Sequence, residues 1–178
     1  MKIVVIGNGG SGKSHLANRI GADLDIKVTH LDKLTWQSNY EPIPKKEFMD
    51  NLEAEMEGES WIIEGWSHHD TLLQRLKAAD VIIHLDFDLQ FCLDSALRRN
   101  TDYNNKEYPY DPFVGNRLKM ESLLKAAIEA VHNTYEPEAR RWITGMEEEK
   151  LVFRFFDREE LTNGYEDMIK KIGKHNNQ

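Results

Sequence analysis

Eight consecutive residues carry the strongest chemical signal in the chain: Gly7-Asn8-Gly9-Gly10-Ser11-Gly12-Lys13-Ser14. The run fits the spacing G-x-x-x-x-G-K-[ST] in full. Its glycines let backbone N–H groups turn inward and approach phosphate oxygens closely, in a nest at the start of a helix. Lys13 supplies a point charge for the β- and γ-phosphates of a nucleoside triphosphate, and the Ser14 hydroxyl is a magnesium ligand. His15, the next residue, completes the set expected around the nucleotide. Three carboxylates add to this: Asp32 follows the run KVTHL, Glu64 follows WII and Asp86 follows VIIHL. A carboxylate beside a triphosphate can hold magnesium or accept a proton from an attacking hydroxyl.

These residues act together only if the fold brings them to one edge. Short apolar, β-rich runs at 2–6, 27–31, 61–63, 81–85 and 151–155 read as strands. Helical patterns at 13–24, 45–57, 71–79, 89–99, 118–134 and 159–172 separate them, with Asp88 and Asp157 as helix caps. Strands that alternate with helices, most lacking polar alternation, predict a three-layer α/β domain around a parallel five-stranded sheet. Ligands of such sheets sit outside the carboxyl ends of the strands, which is where all three acids fall. Residues 100–116 break the alternation with two prolines, a glycine and several aromatics, and read as a lid over the site.

The bulk properties narrow the function classes. The 178 residues suit one domain. Their net charge of −8, from 31 acidic and 23 basic side chains, disfavours nucleic acid and anionic membranes as partners. Cys92 is the single cysteine, so neither a disulfide framework nor a cysteine metal site is expected. The apolar start is too short for a signal peptide and no run approaches a membrane span, which predicts a cytoplasmic protein, monomeric or homodimeric.

Beyond the glycine loop, three segments recur in order in one known group: HLDKLTW at 30–36, WIIEGW at 61–66 and VIIHLDFDLQFCLDSALRR at 81–99. On these motifs the chain resembles the bacterial FlaR-type DNA topology modulation proteins, an adenylate-kinase-related P-loop family. The resemblance covers residues 1–99 well and the C-terminal strand and helix loosely. More distantly, the layout is similar to nucleoside monophosphate, shikimate and gluconate kinases. It implies strand order 2-3-1-4-5, a mobile lid at about 100–117, and transfer of the γ-phosphoryl of Mg-ATP to a small acceptor. By position, Glu64-Gly65 falls where nucleotide kinases carry Asp-Gly near the metal. Arg98 and Arg99 fall where lid-base arginines hold donor phosphates, and Asp32 falls near the acid that shikimate-type kinases use for acceptor and magnesium. The resemblance thus implies Lys13, Asp32, Glu64 and Arg99 as catalytic and Ser14, Asp32 and Glu64 as metal-binding.

Two departures bear on the acceptor. After Gly65 the chain continues Trp66-Ser67-His68-His69, without the arginine that binds an acceptor phosphate, and Ser95 stands where the lid-base helix carries another. Arg75 is spaced to replace the missing group, Arg117 to swing onto the γ-phosphate, and Arg140 and Arg141 to add further clamps. His68 and His69 are expected to line the acceptor pocket, with Trp36, Tyr40 and Trp66 as a stacking wall or as core. Phe87-Asp88 and Asp157-Arg158 should lie toward the nucleotide base. Two other readings stay open: a nucleotide-dependent regulatory protein associated with DNA topology, and a bare NTPase with water as acceptor.

Overall fold

The computed structural model describes residues 1–35, 41–101 and 117–175, with residues 100, 101 and 117–120 described by backbone alone. Five strands form one parallel sheet: β1 (Lys2–Gly7), β2 (Val28–His30), β3 (Trp61–Glu64), β4 (Val81–Leu85) and β5 (Leu151–Phe155). Their order is β2-β3-β1-β4-β5, as the resemblance implies. β1 therefore lies between β3 and β4, and its carboxyl end opens at the point where the connections diverge.

Strand alternation sends successive side chains of β1 to opposite faces, and both faces are covered. Ile3 and Val5 pack with α1 (Lys13–Leu24), α5 (Leu89–Thr101), α6 (Arg117–Ala130) and α8 (Arg158–His175) through Ile20, Cys92, Ile128 and Met168. Val4 and Ile6 pack on the other face with α3 (Lys45–Glu57), α4 (Leu72–Ala78) and α7 (Glu136–Thr144) through Phe48, Leu76 and Ile143. Truncating such a fully buried aliphatic side chain typically costs about 2–5 kcal/mol, so the layers hold the strand ends firmly.

Two local features differ from the sequence pattern. The second strand stops at His30, and a short helix α2 (Leu31–Thr35) follows, so Asp32 sits in a first helical turn. The helical pattern at 118–134 continues through a π-helical segment, Val131–Tyr135, into α7. Pro137 does not stop it, because the π-helical turn just before it shifts the ladder, the Glu136 N–H donating to the Val131 carbonyl. The expected caps are present: Asp88 accepts from the N–H groups of Gln90 and Phe91, and Asp157 accepts from that of Glu160. No helix among the described residues is long and apolar enough to cross a membrane.

Candidate functional site

The glycine loop leaves β1 and is shaped by conformations that side chains resist. Gly10 and Gly12 have φ of 84° and 90°. A Cβ at Gly10 would collide with the Cys92 carbonyl of α5, whereas one at Gly12 would meet nothing. Asn8 is buried and works as a bracket. Its Nδ2 donates to the Ile128 carbonyl of α6 at 2.9 Å, and its Oδ1 accepts from the Gly9 N–H at 2.7 Å. The Ser11 hydroxyl is buried without a hydrogen-bond partner. Gly12 then caps α1, whose first turn presents Lys13 and Ser14, both half-buried, and the exposed His15.

Register sets the second half of the site. Glu64 pairs with Val5 of β1 on one side and His30 of β2 on the other. Its carboxylate is almost completely buried, and Oε1 lies 2.6 Å from His30 Nδ1. Oε2 has no hydrogen-bond partner. Burial works to raise the Glu64 pKa, but the His30 hydrogen bond, the Lys13 charge and the Ser14 hydroxyl outweigh it, and the carboxyl titrates below the ordinary glutamate value. An ionised, buried carboxylate oxygen beside a lysine and a serine hydroxyl is a hard oxygen donor of the kind magnesium takes.

Asp32 reaches the same edge from α2, where its Oδ1 accepts the Ser67 hydroxyl at 2.7 Å. This contact joins the segments after β2 and β3. His68 packs at a tilt against Phe48 and His69 stacks on Tyr135, each pair with ring centroids 4.0 Å apart. Trp66 is half-buried against the α3–α4 layer, and its indole N–H is buried without a partner.

Several expected clamps are committed elsewhere. Arg75 is fully buried on the inner face of α4 instead of lining an open acceptor site. Its Nη1 donates to the Gly65 carbonyl at 3.1 Å and its Nε to the Thr71 hydroxyl at 3.3 Å, so it braces the turn after Glu64. Burial lowers its pKa to about 10, the Glu64 charge opposing the fall, and it remains a cation at neutral pH. Arg140 binds Asp86 through both oxygens at 2.6–3.0 Å, which removes Arg140 as a phosphate clamp and Asp86 as a free acid of the edge. Burial would raise the Asp86 pKa, but the Arg140 hydrogen bonds and charge hold it below the usual carboxylate range.

Beside that pair, buried His84 Nε2 lies 2.8 Å from Glu136 Oε2, and single ligand atoms of His84, Asp86 and Glu136 come within 4.8 Å of one another. The Arg140 guanidinium supplies the cation at Asp86, and the four side chains tie α7 to the end of β4. Arg98 and Arg99 stand exposed in the last turn of α5, Arg98 donating to the Asp94 carbonyl of its own helix at 3.3 Å. Residues 102–116 of the expected lid, the Arg117 side chain, Trp36 and Tyr40 lie outside the described residues.

Sequence reasoning assigned no role to His30 or Asn18. His30 Nε2 lies 3.1 Å from Asn18 Oδ1 while Nδ1 faces Glu64, a three-residue chain that becomes visible only once β2 pairs with β3. The signal for Arg75 was present: Leu72, Arg75 and Leu76 share the spacing of an inner helix face.

The fold has solved counterparts. The chain superposes on a shikimate kinase from Bacteroides thetaiotaomicron with a TM-score of 0.54 and 13% identity, covering 100% of this chain and 99% of that one. It superposes on a gluconokinase from Sinorhizobium meliloti 1021 with a TM-score of 0.50 and 14% identity, covering 97% and 93%. The architecture is thus that of P-loop kinases of the shikimate and gluconate type, at identities where likeness shows the fold alone. No family model and no curated protein matches the sequence.

Proposed function

We propose that this chain is a magnesium-dependent phosphotransferase, moving the γ-phosphoryl group of ATP to the hydroxyl of a small acceptor within a single kinase-like domain. The observation that carries the reading is Glu64, ionised and sealed at the end of β3, with one carboxylate oxygen free of hydrogen bonds and the Lys13 charge and Ser14 hydroxyl acting on the group. The backbone N–H groups of the glycine loop cradle the phosphates, and Lys13 neutralises charge on the β- and γ-groups. Ser14 and Glu64 would hold the magnesium ion, with Asp32 at the same edge. When bound, the ion offsets the charge that develops on the transferring phosphoryl oxygens. Asp32, oriented by Ser67, receives the acceptor's proton as its oxygen attacks the γ-phosphorus and the bond to the β-phosphate oxygen breaks, releasing ADP.

The acceptor is a hydroxylated compound recognised without an arginine clamp at the third-strand turn, since Arg75 is sealed beneath it. The motifs at 30–36 and 61–66 support kinship with the topology modulation group, whose name leaves the chemistry open. A screen of small hydroxylated and phosphorylated compounds for stimulated ADP release from Mg-ATP tests the reading. One or more neutral hydroxylated compounds should raise the rate above the rate with water alone. A flat response across the panel, with steady hydrolysis, would leave a bare NTPase instead.

A further inference from the structure

We propose that Asn18 and His30 form a positioning relay for Glu64, in which His30 donates its Nδ1–H to Oε1 so that Oε2 alone is presented to the phosphate side. The inference rests on the reading of Glu64 as a group serving the bound magnesium nucleotide. An ionised carboxylate offers acceptors only, so the 2.6 Å contact requires the hydrogen on Nδ1. This holds whichever way the Asn18 amide faces Nε2, because amide oxygen accepts and amide nitrogen donates. Both side chains are confined, with 14% exposure for His30 and 2% for Glu64. Strand pairing of His30 with Glu64 fixes them at one level, so the contact is set by the sheet itself.

Asn18 extends the relay to α1. It lies four residues after Ser14 on the same helix, and positions four apart share a face. The helix that presents Lys13 and Ser14 therefore also aims the carboxylate opposite them. Charged groups around the relay are Lys13 on α1, Asp32 on α2 and Arg75 on α4; Asp32 only accepts, from Ser67, and Arg75 donates to Gly65 and Thr71, so neither takes His30's place as the donor to Oε1. Without His30 the carboxylate is free to turn both oxygens between two orientations. Loss of such a supporting partner typically costs 10–100-fold in metal affinity or activity.

Nitrogen-15 NMR of the wild-type imidazoles, together with four proteins in calorimetry and kinetics, tests the relay: wild type, His30→Ala, His30→Gln and Asn18→Ala. Calorimetry measures ADP affinity with and without magnesium, and kinetics separates kcat from KM for Mg-ATP. His30 should show a protonated Nδ1. His30→Ala should lose at least tenfold of the magnesium-linked gain in ADP affinity and at least tenfold in kcat, with metal-free ADP affinity within twofold of wild type. His30→Gln, whose amide N–H can donate to Oε1, should recover part of both losses, and Asn18→Ala should show a smaller loss in the same direction. An unprotonated Nδ1, an intact magnesium-linked gain in His30→Ala, or a Gln variant no better than Ala would overturn the proposal. If wild type transfers phosphate to nothing, the kinase reading fails while the calorimetric arm still decides the relay. If His30→Ala does not fold, the wild-type spectrum and Asn18→Ala decide it.

Discussion

Substituting alanine at Gly10 and at Gly12 separates two costs that the glycine loop combines. Both residues have φ near +90°, a conformation that costs an L-residue about 1–2 kcal/mol. At Gly12 that is the whole penalty, since an added Cβ meets nothing within 4 Å. At Gly10 the Cβ also runs into the Cys92 carbonyl, which is backbone of α5 and cannot rotate away. Overpacking of this kind adds about 1–3 kcal/mol, for a total of about 2–5 kcal/mol. In a domain of this size about 1 kcal/mol corresponds to roughly 2–4 °C in melting temperature. Gly12→Ala should therefore lower Tm by about 2–8 °C, and Gly10→Ala should fall further by about 2–12 °C. Differential scanning calorimetry of the two variants gives the answer directly. Equal destabilisation would refute the close approach of the loop to α5. A Gly10→Ala protein milder than Gly12→Ala would refute the argument altogether.

The remaining expectations concern charge. Lys13→Ala should keep the fold and weaken Mg-ATP binding by a few kcal/mol, about 1.5–3 for each lost charge-assisted bond, and unchanged calorimetric affinity would contradict the phosphate assignment. Asp32→Asn should depress kcat at least tenfold with KM for ATP little changed, because a proton acceptor acts in the transition state; near wild-type turnover would remove Asp32 from the reacting centre. Glu64 and Asp86 both have depressed pKa values, so the stability they contribute is fully present above their ordinary values of 4.5 and 3.8 and is lost as pH falls through the lower folded-state values. Urea midpoints measured from pH 7 to pH 3 should fall less steeply for Glu64→Gln than for wild type, and identical slopes would contradict the folded-state ionisation of Glu64.

The legible part of this molecule is the part in which chemistry dictates sequence spacing. Phosphate binding demands small residues, a lysine and a hydroxyl at fixed offsets, so residues 7–14 announce themselves without any fold. Glu64 was visible because it ends an apolar run, and parallel sheets place such ends at the ligand edge. Arg75 misled because an arginine near a candidate site suggests a clamp, while its helical spacing with Leu72 and Leu76 points inward. His30, Asn18 and the Asp86–Arg140 pair escaped for a common reason. Their partners lie 34, 12 and 54 residues away in the chain, and only strand pairing and helix packing bring them together. The helix that carries Glu136 and Arg140 was hidden because Pro137 breaks a helical pattern in sequence, and only the π-helical turn before it lets the helix run on.

The central claim is phosphoryl transfer to a hydroxyl other than that of water. The measurement that tests it most directly is phosphorus-31 NMR of the reaction of wild-type protein, Mg-ATP and the compound that most stimulates ADP release. A new phosphate monoester resonance should grow in step with ADP, absent in Lys13→Ala and strongly slowed in Asp32→Asn. Inorganic phosphate as the sole product, in amounts equal to the ADP formed, would contradict it.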